Sequence, residues 1–223
     1  MYWMDEGYLL SKNNFSENSI IIEAFTLEHG KSIGIVYGGS SKKQKKNFQI
    51  CNKISLNWKS KGENKMGYFN IELINPISPL YFNNKKKSIC ILAAASLLKI
   101  LLPEGQINKK IYYSFEDLLS KLNSDNWIKF YILWELSLIK ELGFENALIN
   151  VNNTSKETNN LIEINNKTIK VPDLLLKNEE KTYTNFAIKE ALIFNKSLLM
   201  ENFIIPNKLG FPLSRNILEK YYN

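Results

Sequence analysis

Ser19-Ile20-Ile21-Ile22-Glu23-Ala24-Phe25-Thr26, Leu27-Glu28-His29-Gly30 and Lys31-Ser32-Ile33-Gly34-Ile35-Val36-Tyr37-Gly38-Gly39 follow one another without a break, and they decide the fold class. The first eight residues are β-branched and apolar, a composition that suits a pleated strand. Leu27 to Gly30 reads as a turn with glycine at its end. Lys31 to Tyr37 is a second strand, closed by two glycines. Before this stretch, Tyr8-Leu9-Leu10 is a further strand. After it, Ile54-Ser55-Leu56-Asn57-Trp58-Lys59 alternates apolar and polar residues with period two. Lys61 to Lys65 is polar and turn-like, and Met66 to Ile74 is the fifth strand. Five short strands with no helix-period segment predict a small barrel rather than a sandwich.

Past Pro79 the period changes. Ser88 to Leu102 is apolar almost all round, as a buried central helix would be, and Pro103-Glu104-Gly105 ends it. Ile111, Phe115, Leu118, Leu119 and Leu122 form a stripe at helical spacing. Asn123-Ser124-Asp125 offers N-caps for a helix carrying Trp127, Phe130, Tyr131, Trp134, Leu138 and Leu142, with Gly143 as its stop. Asn150 to Asn160 reads as a mobile polar loop. Leu161 to Ile164 and Thr168 to Val171 read as a hairpin about Asn165-Asn166. Two more helices are expected, from Thr184 to about Phe203 and from about Leu213 to Tyr222. The expected organisation is a multi-domain α and β chain. Residues 1–78 form a five-stranded barrel, and residues 79–223 a mostly helical domain with a small hairpin insertion around 150–172.

The 223 residues include 29 Lys and Arg against 22 Asp and Glu, a net charge of +7. Such a surplus fits a polyanion partner. Nearly all of it is lysine, and Arg215 is the only arginine. Cys51 and Cys90 stand alone, without the spacing of a zinc site or a disulfide framework. A reducing cytoplasm is the expected setting. The opening MYWMDEGYLL has early acids and no basic region before an apolar run, so it does not read as a signal peptide. The most apolar stretch is too short to span a bilayer.

Catalytic groups are hard to place. His29 is the only histidine, and in a predicted turn it is expected to be exposed and idle. Gly34 to Gly39 resembles a phosphate loop only faintly, because Ser40 stands where the lysine is required. No pair of carboxylates is singled out by spacing. No catalytic residue, metal or cofactor is expected.

A sharper feature is Ser40 to Phe48, where Lys42, Lys43, Lys45 and Lys46 fall within five positions between two strands. A basic loop at a barrel rim is suited to following a phosphate backbone, and a solvated lysine loop is the plain alternative. Tyr37 and Phe48 flank it and are the aromatics best placed to stack on bases. A second run, Lys85 to Lys87, precedes the central helix. The Trp127-Phe130-Tyr131-Trp134 cluster reads as bundle core that leaves room for a groove.

The order of features resembles the RecO family of bacterial recombination mediators. Asp5-Glu6-Gly7-Tyr8-Leu9-Leu10 is similar to its first strand, and Asn14-Phe15-Ser16-Glu17 to the turn that follows. Phe25-Thr26-Leu27-Glu28-His29-Gly30-Lys31 matches an F-T-x-x-x-G signature, and Gly38-Gly39-Ser40-Ser41-Lys42-Lys43 the start of a basic loop. Trp134-Glu135-Leu136-Ser137-Leu138 through Leu142-Gly143-Phe144 resembles a W-E-L-x-L…L-G-F helix, and Leu209 to Arg215 an L-G-x-P-L-x-S-R segment. The resemblance implies an OB-fold followed by a helical domain, single-stranded DNA binding and annealing, and partnership with RecR. It also implies contact with the tail of the single-stranded DNA-binding protein SSB, and through these the loading of RecA. Its setting is the bacterial cytoplasm, at the nucleoid. The DNA-binding set expected here is Lys31, Tyr37, Lys42, Lys43, Lys45, Lys46, Phe48 and Arg215. Lys129, Phe130, Trp134 and Lys140 are expected to hold the SSB tail. Many family members carry a four-cysteine zinc cluster after the L-G helix; Asn150 to Val171 has no cysteine here, so no zinc is expected.

Two other readings keep their place. In one, the barrel is a protein-interaction module in an adaptor that never touches DNA; strong salt dependence of oligonucleotide binding would separate it from the DNA reading. A nuclease would need carboxylates clustered about a divalent metal, and the sequence shows none.

Overall fold

The structure is a computed structural model that describes residues 1–39, 41, 48–60, 62, 66–144, 161–164, 167–176 and 183–222. Five strands, β1 (Tyr2–Ser16), β2 (Ser19–Thr26), β3 (Gly30–Tyr37), β4 (Lys53–Lys59) and β5 (Gly67–Asn75), close a barrel in the order β1-β2-β3-β5-β4. This is the OB-fold. β1 serves two partners: residues 2–8 pair with β4 and residues 7–16 with β2. Register shifts at Leu9/Ser11 and Asn14/Ser16 bend it between them.

Closure depends on β3 and β5, which run parallel with Gly34 opposite Gly67. Both positions are covered by aromatic rings. A Cβ on Gly34 would meet the Phe69 ring at 2.5 Å, and one on Gly67 would meet Trp58 Nε1 at 2.1 Å. The missing side chains leave the space those rings fill. Inside the barrel, Leu9, Ile20, Ile22, Ala24, Val36, Ile54, Leu56 and Phe69 make one core cluster, as alternation along each strand requires.

Two compact units divide the chain, Met1–Tyr112 and Tyr113–Asn223. In the first, helix α1 (Lys85–Leu101) lies against β1. Its three alanines, Ala93, Ala94 and Ala95, are buried, which permits a close approach. Lys85 to Lys87 form its first turn rather than preceding it, capped by Asn84, whose side chain accepts from the Lys87 N–H at 3.1 Å. Helix α2 (Lys109–Lys121) runs across the division between the units.

The second unit holds α3 (Trp127–Glu141), strands β6 (Leu161–Ile164) and β7 (Lys167–Lys170), the short α4 (Asp173–Leu176), α5 (Asn185–Leu199) and α6 (Leu213–Lys220). β6 and β7 pair antiparallel as the expected hairpin. The cap of α3 is Asn126, not residues 123–125. Ser124 instead donates its hydroxyl back to the Lys121 carbonyl at 2.8 Å, closing α2. Gly143 takes φ 102° just past α3, a conformation that favours glycine. α5 runs into a wider π turn over Met200–Ile204.

Candidate nucleic-acid interface

Barrel register places a row of side chains across four strands. Tyr2 on β1 faces Lys59 on β4, Lys59 faces Tyr68 on β5, and Tyr68 faces Ile35 on β3. Two residues beyond Ile35, Tyr37 brings its ring to 6.0 Å from Tyr68. The neighbours Trp3, Trp58 and Phe69 pack towards the core, so period two turns this row outward. Tyr37 is 68% exposed and Tyr2 57%. Lys59 Nζ stands 5.5 Å over the Tyr2 ring, and the Tyr2 hydroxyl donates to Asn57 Oδ1 at 3.0 Å. Exposed rings interleaved with a cation suit stacked bases and the phosphates between them.

Of the residues expected to contact DNA, Tyr37 alone among the described ones stands free in this row. Lys42, Lys43, Lys45 and Lys46 lie outside the described residues. Phe48 is a correction: it is buried in the barrel core, and its carbonyl accepts from Lys12 Nζ at 2.6 Å. Lys31 is half-buried and donates to the Lys99 carbonyl at 2.7 Å, an orphan acceptor in the last turn of α1. Burial pushes the Lys31 pKa below its ordinary value, against the pull of Glu23 and Glu104. Arg215 is a second correction. It is fully buried and ion-paired with Glu135, so it offers nothing to a phosphate.

In the helical unit, Phe130 and Trp134 do line one cleft, of about 270 Å³, with Ser114, Asp117 and Lys121. Lys121 Nζ lies 4.9 Å from the centre of the Phe130 ring and pairs with Asp117 at 2.7 Å. Trp134 is 4% exposed, and its buried Nε1 has no acceptor. Lys129 points elsewhere and donates to the Tyr183 hydroxyl at 3.0 Å. The cause is helical geometry: Phe130 and Trp134 are roughly 40° apart around α3, whereas Lys129 is roughly 140° from Trp134. The cation of the cleft is therefore Lys121, on the preceding helix. Sequence reading missed it; its place beside Leu122 at the end of the α2 stripe is the signal that could have found it.

Among the described residues no three His, Cys, Asp or Glu come together as metal ligands. No helix among them is long and apolar enough to cross a membrane.

The chain matches the family model for the Recombination protein O N terminal over residues 1–77 and that for its C terminal over residues 84–160. It belongs to the RecO family. DNA repair protein RecO of Cereibacter sphaeroides is 33% identical over 144 residues, 65% of this chain and 60% of that protein. The protein of the same name from Roseobacter denitrificans is 32% identical over 149 residues, 66% and 62% of the two chains. That from Wolbachia of Drosophila simulans is 31% identical over 147 residues, 65% and 60%. The matched region thus spans about 60% of the relatives' length. The two RecO models divide the chain near residue 80, whereas compactness divides it at 112, because α1 packs on the barrel. Two RecO-like segments quoted separately above, W-E-L and L-G-F-P-L-S-R, meet in the structure through Glu135 and Arg215.

Proposed function

We propose that this RecO-family chain binds single-stranded DNA through residues 1–78 and anneals complementary strands. With RecR it helps load RecA onto SSB-coated DNA, in the cytoplasm at the nucleoid. It catalyses no covalent step and needs no cofactor. The observation that carries this reading is the outward row Tyr2, Lys59, Tyr68 and Tyr37, whose last member precedes Lys42 by five residues in the sequence. Bringing strands together requires charge neutralisation and presented bases, not a leaving group.

The cleft of Lys121, Phe130 and Trp134 supports contact with the SSB tail, which ends in an aromatic residue among acids. An apolar slot with a cation at its edge is what such a tail needs.

The deciding experiment mixes two fluorescent complementary strands with the protein, without ATP or divalent metal, in the presence and absence of SSB. Annealing and a gel shift are expected in both cases. A protein that leaves naked oligonucleotide unbound at low salt is an adaptor, and the DNA reading is then lost.

A further inference from the structure

His29, Trp3 and Trp58 form a stack at one mouth of the barrel. The rings of Trp3 and His29 are 4.1 Å apart and 8° from parallel, and those of Trp3 and Trp58 are 5.6 Å apart and 12° from parallel. Trp3 and Trp58 are opposite each other in the β1–β4 register. His29 is the last rung. Its Nδ1 lies 2.9 Å from the buried Asp5 carboxylate, which fixes the ring plane. Asp5 Oδ2 also accepts the Glu28 N–H at 2.8 Å, so the carboxylate is itself held.

One face of His29 is covered by Trp3, yet its side chain remains 35% exposed. His29 lines a cleft of about 300 Å³ together with Trp3 and Trp58. The far wall is the segment after α1, with Glu104, Gly105 and Ile107. That wall is fixed to β3, because the Gly105 N–H donates to the Lys31 carbonyl at 2.8 Å. The cleft is therefore partly aromatic and held by a backbone hydrogen bond between its lining segments. Its volume is at the low end for small-molecule sites, about 300–1,000 Å³.

Charge narrows the ligand. Glu28 and Glu104 edge the cleft; Lys109 Nζ pairs with Glu28 at 2.6 Å and Lys31 donates its ammonium to the end of α1, so Glu104 is the carboxylate offered to a ligand. With both ammonium groups engaged, the cleft offers little to a phosphate. A planar ring with amino donors on its edge would stack on His29 and donate to a carboxylate. We infer that this cleft takes one unpaired nucleobase bearing an exocyclic amine (cytosine, adenine or guanine) rather than thymine, stacked on the face of His29 away from Trp3. The inference rests on the DNA reading above and adds to it a base-selective subsite distinct from the tyrosine row.

His29 is the only histidine, so its ring protons give isolated NMR signals in the whole chain. The test titrates the protein with an oligodeoxycytidine, an oligothymidine and an abasic strand of equal length, while fluorescence anisotropy follows binding of each strand. Oligodeoxycytidine should move the His29 signals upfield; the thymidine strand should do so less, and the abasic strand not at all. His29→Ala should weaken oligodeoxycytidine binding roughly tenfold, the scale of one lost stacking contact, and His29→Phe, which restores a ring, should recover most of that loss. Should the strands bind by anisotropy while His29 is unmoved by any of them, the subsite is refuted and DNA binding stands. Equal shifts with cytidine and thymidine overturn the amine selectivity. If no strand binds, both the DNA reading and the subsite fall.

Discussion

Arg215 and Glu135 are eighty residues apart in sequence and lie side by side with both side chains wholly buried. Arg215 Nε and one terminal nitrogen each donate to a different oxygen of Glu135, the latter at 3.1 Å. The same terminal nitrogen donates to the Leu192 carbonyl at 2.7 Å, and Tyr131 and Asn195 complete the carboxylate's shell. Burial, the largest single effect, would push the guanidinium pKa down, but Glu135, Tyr131 and Glu219 together hold it above the ordinary value. The pair ties α6 to α3 and α5.

Breaking one side of such a pair leaves a buried charge without a partner, at a cost of about 3–5 kcal/mol. Arg215→Ala should therefore lower unfolding stability by that amount in urea titrations. DNA affinity, measured on the fraction that remains folded, should hardly move. A large affinity loss with unchanged stability would return Arg215 to the DNA surface.

Neutralising Lys42, Lys43, Lys45 and Lys46 together should weaken oligonucleotide binding and flatten its dependence on salt. Each phosphate contact on a single strand contributes about 0.7 to the log–log slope, so four contacts give roughly 3. A parental slope in the quadruple variant would mean that the strand runs elsewhere, with Lys59 and Lys85 the next cations to change.

Lys121→Glu should abolish binding of an acidic peptide with a terminal phenylalanine while leaving binding to naked single-stranded DNA intact. The Lys129→Glu, Lys140→Glu pair should bind the peptide much as the parent does, because neither lysine lines the cleft. Calorimetry with the peptide separates the two; the reverse outcome would place the slot on the Lys129 face.

Cys51 and Cys90 are both buried in the first unit. Burial pushes the Cys51 thiol pKa well above its ordinary value. Both thiols should therefore resist alkylation at mildly alkaline pH, by roughly a hundredfold or more relative to the unfolded chain, since reaction waits on opening. Mass spectrometry after a short iodoacetamide pulse measures this, and rapid labelling of Cys51 would contradict its burial.

Gly67→Ala should destabilise the barrel by about 1–3 kcal/mol, the usual cost of overpacking. The added methyl would strike Trp58 Nε1, so Trp58 must swing out of its stack with Trp3. A red shift in tryptophan emission should accompany the loss. Gly62→Ala, where nothing lies within 4 Å of the added atom, supplies the control.

Much of the fold was legible because it rests on short-range periodicity. Ile54 to Lys59 alternates with the period of a strand, and Ile111, Phe115 and Leu122 recur with that of a helix. His29 shows the limit of local reading. A lone histidine in a turn looks idle, and the turn is real, but its ring is held by Asp5 and Trp3, 24 and 26 positions away in the chain.

By itself, the sequence determined the strand half and the helix half, the family, and the concentration of lysine at positions 42 to 46. Each of these depends on residues close together in the chain. Tertiary structure decided which charges are free. Arg215 and Lys31 look like ordinary surface cations in sequence, yet one neutralises a buried carboxylate and the other closes the end of a helix. A polar side chain is available to a ligand only if no distant group has already satisfied it, and desolvation makes that satisfaction obligatory wherever the chain folds over it.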